Sequence, residues 1–69
     1  MRYYVHKDDH LSGDNEVHRQ GCRWMPDKDD REYLGHYDGC KRAVAEADAR
    51  DYNANGCPYC CPTCHTNAP

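Results

Sequence analysis

Two short segments of this chain carry donors that suit a transition-metal ion. Cys57-Pro58-Tyr59-Cys60 brings two sulfurs together at C-x2-C spacing, and His18-Arg19-Gln20-Gly21-Cys22 brings an imidazole and a sulfur together at H-x3-C spacing. Zinc takes thiolate sulfur at about 2.3 Å and imidazole nitrogen at about 2.0–2.1 Å, and two local pairs from distant stretches assemble such a site efficiently. In the first pair Pro58 keeps the turn tight and the intervening amides can face the thiolates. In the second, Gly21 allows the chain to turn before Cys22. Together His18, Cys22, Cys57 and Cys60 make a closed Cys3His set for one zinc ion, with no coordination position left for water. A closed site is structural, and the sequence has no H-E-x2-H or comparable carboxylate arrangement, so a non-enzymatic role is expected.

The same spellings recur and leave alternatives open. His36-Tyr37-Asp38-Gly39-Cys40 repeats the H-x2-G-C form, and Cys61-Pro62-Thr63-Cys64 repeats C-P-x-C. A second ion on His36, Cys40, Cys61 and Cys64 is one alternative. A single ion with Cys64 or His65 replacing Cys60 or His18 is another. His6 and His10, among charged neighbours, read as surface residues.

The rest of the composition shows why a staple is needed. Leucine, isoleucine, valine and phenylalanine together amount to Val5, Leu11, Val17, Leu34 and Val44 in 69 residues, which is poor material for a core. Trp24 and six tyrosines offer some compensation through large burial areas. A structural zinc contributes an apparent ~10–16 kcal/mol in small peptides, enough to decide folding by itself. Disulfides among the six cysteines are the competing staple. The opening Met1-Arg2-Tyr3-Tyr4-Val5-His6-Lys7-Asp8 has no apolar signal-peptide core, so a cytoplasmic location and metal rather than disulfides are expected.

The elements that must position the donors are short. Residues 2–7 alternate as a strand with Tyr3 and Val5 on one face, residues 11–15 suit a hairpin turn, and Glu16 to Arg19 makes a second strand. Residues 27–31 read as loop and Glu32 to Tyr37 as a third strand, with Trp24 and Met25 capping the core. From Cys40 to Arg50 the period becomes helical, with Cys40, Ala43, Val44 and Ala47 on one face, Asp38 as N-cap, and Asn53 to Gly56 as the stop. The tail from Cys57 onward is loop. This order predicts one α+β domain over residues 1–69, an antiparallel sheet of about three strands covered by one helix, with a C-terminal cysteine-rich knuckle.

Charge bears on partners. The net charge is −3, and no basic cluster exceeds Lys41-Arg42. Nucleic-acid binding draws most of its affinity from phosphate neutralisation by a basic patch, so a protein partner is the better expectation. No segment reaches transmembrane length, and a monomer is the expected form.

From His18 onward the layout resembles the Ada-type metal-binding domain: His-x3-Cys, a proline loop, a tyrosine-bearing strand, an alanine-rich helix and a terminal C-x2-C. The resemblance covers most of residues 18–60 and rests on spacing more than identity. It implies a small α+β zinc scaffold with the ion at His18, Cys22, Cys57 and Cys60. In that family four cysteines bind zinc and the first accepts a methyl group from DNA phosphotriesters. His18 stands at the matching position, and an imidazole cannot take that role, so only the scaffold carries over. The Cys64-His65-Thr66 tail is similar to that of small uncharacterised bacterial proteins. Cys57-Pro58-Tyr59-Cys60 is also identical to the glutaredoxin active-site tetrad, so a thiol redox protein is an alternative, with a zinc-scaffolded nucleic-acid binder as another. Glutaredoxins set that tetrad at a helix N-terminus, a context that Pro62 and the loop-like tail do not offer here.

Overall fold

A computed structural model describes residues 1–8 and 13–66 of the chain. Among the described residues four strands, β1 (Arg2–His6), β2 (Asn15–Arg19), β3 (Arg31–His36) and β4 (Ala54–Gly56), form one sheet in the order β3-β1-β2-β4, with a single α-helix α1 (Cys40–Ala49) between β3 and β4 in sequence. Single turns of 3-10 helix occupy Lys28–Asp30 and Pro62–Cys64. The expected α+β class holds, with a strand more than expected and a mixed rather than antiparallel sheet: β1 is antiparallel to β2 and β3, while β2 and β4 run parallel.

Alternation along the strands sorts the side chains. Tyr3 and Val5 of β1 and Val17 of β2 turn inward and are buried, as the period of two requires. The register between β1 and β3 shifts between Tyr3 and Tyr4, leaving Leu34 as the extra residue of a bulge and burying it in the same core. Ala43 and Ala47 face this layer from α1 with no exposed surface. Their small side chains let the helix lie close to the sheet, and α1 touches all four strands.

Three features close the helix and the tail. The helix ends through Asp51, at φ 68°, with the Tyr52 amide donating to the Ala47 carbonyl (3.1 Å) and the Asp51 amide to the Asp48 carbonyl (3.0 Å). That is a Schellman arrangement, and it stops the helix before the expected Asn53–Gly56. The N-cap is Gly39 rather than Asp38, with no side-chain cap. Arg50 then reaches Glu46 (2.8 Å) and Glu32 (2.7 Å), and the Tyr52 hydroxyl donates to Glu32 (2.7 Å), which pins the helix end to β3. These groups are partly exposed, so each ion pair contributes at most about 1 kcal/mol.

A disulfide joins Cys40, at the start of α1, to Cys64 in the second 3-10 turn. The expectation of metal in place of disulfides therefore needs correction: the chain uses one covalent staple and keeps Cys22, Cys57, Cys60 and Cys61 free. Closing a loop of sequence separation 24 restricts the unfolded chain by about 3 kcal/mol. Trp24 is a second correction. Read as a core cap, it stands 54% exposed, because the chain around it is held by the turn that places Cys22 and not by the apolar layer. Leu11 and Ser12 of the 11–15 turn, and His10, lie outside the described residues.

Candidate metal centre

β2 places the first donor. Val17 faces the core, so His18 projects to the other side of the sheet, yet it is only 1% exposed because the C-terminal knuckle folds over it. The parallel pairing of β4 explains how. Gly56 lies beside Val17, and the Cys57 amide donates to the Val17 carbonyl (2.9 Å), so the chain leaves the sheet with Cys57 next to His18. The Cys61 amide donates to the Cys57 carbonyl (2.8 Å), bending residues 57–61 into the turn that brings Cys60 back. On the other segment, Gly21 at φ 91° supplies the left-handed step that a side chain would resist, and the Cys22 amide donates to the Arg19 carbonyl (3.0 Å). The Arg19 amide donates to Cys60 Sγ (3.2 Å) and stitches the two segments together.

Gly56 permits the close packing underneath. A Cβ there would stand 2.7 Å from Cys64 Cβ and 2.8 Å from the Cys61 carbonyl oxygen. Buried Asn55 secures the same strand, donating to the Asp14 carboxylate (2.9 Å) and accepting from the Thr66 amide (2.9 Å).

The result is that one donor atom each from His18, Cys22, Cys57 and Cys60 lies within 4.8 Å of all the others. Cys22 Sγ and Cys57 Sγ are 3.9 Å apart, and Cys60 Sγ stands 4.0 Å from His18 Nδ1. Tetrahedral zinc with those bond lengths needs donors about 3.5–3.8 Å apart, so closing the cluster on an ion takes contraction by a few tenths of an ångström at these two pairs and by up to about 1 Å at the widest. His18 offers Nδ1 to the cluster and turns Nε2 toward Glu16 Oε1, 3.7 Å away. At that distance the contact is electrostatic rather than a hydrogen bond, and it favours the proton on the far nitrogen, leaving the near one free to ligate.

Burial sets the protonation of this group. It pushes the Cys57 and Cys60 thiols up, with neighbouring sulfur adding to the rise, while the Tyr59 and Cys60 amides pointing at Cys57 partly oppose it. It pushes the His18 imidazole down to about 4. Both directions disfavour charge, so without a cation His18, Cys57 and Cys60 are neutral at neutral pH. A divalent ion reverses the balance for the thiols, because it binds thiolate and neutral imidazole and releases the sulfur protons.

The other sequence candidates are not gathered here. Cys40 and Cys64 are bonded to each other, which removes both from the second Cys3His set and Cys64 from the replacement of Cys60. His36 Nε2 faces the N-terminal amine (3.1 Å), and His65 Nδ1 lies 2.9 Å from the Gly56 carbonyl oxygen. Cys61 is buried in the core cluster, its sulfur 3.8 Å from that of Cys60. His6 is partly exposed and lies outside the cluster. Sequence reasoning missed Glu16 and the Arg19 amide. Glu16 had a signal, since i and i+2 share a face on a strand, but the amide contact depends on the register of the knuckle. Among the described residues this is the one group of donors close enough to hold a metal ion, and no helix is long and apolar enough to cross a membrane. No family model, curated protein or solved structure matches the chain.

Proposed function

We propose that this chain is a non-enzymatic module folded around one structural zinc ion, held by His18, Cys22, Cys57 and Cys60, and that it acts by presenting a surface to a protein partner. The observation that carries the reading is the mutual approach of those four donors within 4.8 Å, drawn from two segments far apart in sequence. Three sulfurs and one imidazole nitrogen form a soft to borderline set that suits zinc and leaves magnesium or calcium poorly served. The set supplies all four ligands of a tetrahedral ion, so the ion would hold segments together rather than activate water. His18 would donate through Nδ1, with Glu16 orienting the ring.

The layout on which the resemblance to an Ada-type scaffold rests runs here from the turn at Cys22 through β3 and α1 to the knuckle. The thiol redox alternative has less support, since Cys57–Cys60 sits in a turn rather than at a helix N-terminus and shares its sulfurs with His18 and Cys22.

Native mass spectrometry of the reduced-handled protein, with and without chelator, tests the proposal. One zinc per chain, lost together with the compact charge-state distribution on chelation, is the expected result. A folded protein of metal-free mass would remove the reading.

A further inference from the structure

Two large rings are left in solvent beside the donor cluster. Trp24 is 54% exposed and Tyr59 70% exposed, yet their centroids stand 5.2 Å apart with planes at 33°. Each is placed by the candidate ligands: Trp24 follows Cys22 by two residues, and Tyr59 lies between Cys57 and Cys60. Their flanks open into a cavity of about 430 Å³ whose walls include Arg19 and Arg23. Neither arginine has a carboxylate partner among the described residues. The other exposed tyrosine, Tyr33, differs, since it rests on Tyr4 (5.3 Å), whose ring is covered by Arg31.

The cleft is a mixed surface, two aromatic rings edged by two cations without carboxylate partners among the described residues, on a chain of net charge −3. Trp, Tyr and Arg are the residues that most often dominate protein interfaces, because they bury large areas and pair with carboxylates in a desolvated setting. We propose that this cavity docks a short acidic peptide segment of a protein partner, with one apolar or aromatic side chain packed against the paired Trp24 and Tyr59 rings and flanking carboxylates on Arg19 and Arg23. The proposal rests on the zinc-module reading, whose protein partner it specifies. A single-stranded nucleic acid would also stack on the rings, but it brings a phosphate with every nucleotide and needs a track of cations. Here the cleft offers two cations, Arg19 and Arg23, rather than a track.

The test is selection of a random phage-displayed peptide library on zinc-loaded protein, followed by titration of the recovered peptides and of oligo-dT and oligo-U. Recovered peptides should carry an aromatic or leucine residue flanked by Asp or Glu. They should bind with a Kd on the order of tens of micromolar, roughly tenfold weaker to Trp24→Ala or Tyr59→Ala. Arg19→Gln with Arg23→Gln should weaken binding about fivefold and flatten its salt dependence, since exposed charge is what salt screens. Zinc content by native mass must stay unchanged in every variant, which separates loss of the cleft from loss of the fold. The proposal is overturned by no recovered peptide, by recovered peptides without acidic enrichment, by equal binding to Trp24→Ala, or by oligonucleotides that outbind the best peptide. A wild-type chain that is folded without metal would overturn the zinc reading instead, and the peptide titrations on it would still be interpretable.

Discussion

Cys57-Pro58-Tyr59-Cys60 and Cys61-Pro62-Thr63-Cys64 are spelled alike and adjacent, yet their sulfurs meet different fates. The first pair leaves β4 beside His18 and Cys22 and joins a cluster of free donors. The second faces the start of α1, where Cys64 is bonded to Cys40 and Cys61 is packed into the core. Local spacing therefore defines what a cysteine pair is able to do, and the segment lying opposite decides what it does. One cluster ties the N-terminal sheet to the tail, and the other ties the helix to the tail, so the C-terminal residues are held from both sides.

The two fastenings should differ most in size. Chelating the metal, or replacing Cys57 by Ser, should abolish the dispersed amide spectrum, because a structural zinc contributes an apparent ~10–16 kcal/mol to domains of this kind. A chelated protein that keeps its dispersed spectrum would reverse the ranking. Replacing Cys40 and Cys64 together by Ala should lower unfolding free energy by about 3 kcal/mol while the zinc-loaded protein still folds, measured by urea titration in the presence of metal. Gly56→Ala strikes the point where the two fastenings meet, since its new methyl would collide with Cys64 Cβ and the Cys61 carbonyl. A loss of ~1–3 kcal/mol is expected there, and an unchanged urea midpoint would show that the turn gives way freely. The smallest effect should come from Glu16→Gln, which keeps every ligand and removes the carboxylate facing His18 Nε2. Zinc affinity by chelator competition should fall about tenfold with little change in fold.

Much of this was readable in the sequence, and the exceptions have physical causes. β1 and α1 were legible because their apolar residues keep the period of a strand or a helix, and β2 and β3 from the turn and loop signals that precede them. β4 was not. Ala54-Asn55-Gly56 has no strand-forming side chain and exists as a strand through its parallel hydrogen bonds to β2. Trp24 misled because ring size suggests burial, whereas the turn that aims Cys22 leaves the ring outside. The helix stop lies at Asp51, whose tolerance of a left-handed backbone is weaker than that of the glycine downstream and so left a fainter mark. The four donors were legible as two local pairs. Cys40, Cys61 and Cys64 were not, since H-x2-G-C and C-P-x-C describe both clusters equally well.

Zinc K-edge X-ray absorption on the purified protein addresses the ligand set most directly. A first shell of three sulfurs and one nitrogen is expected. A four-sulfur shell, or a shell rich in oxygen in the wild-type chain, would contradict the assignment of His18, Cys22, Cys57 and Cys60.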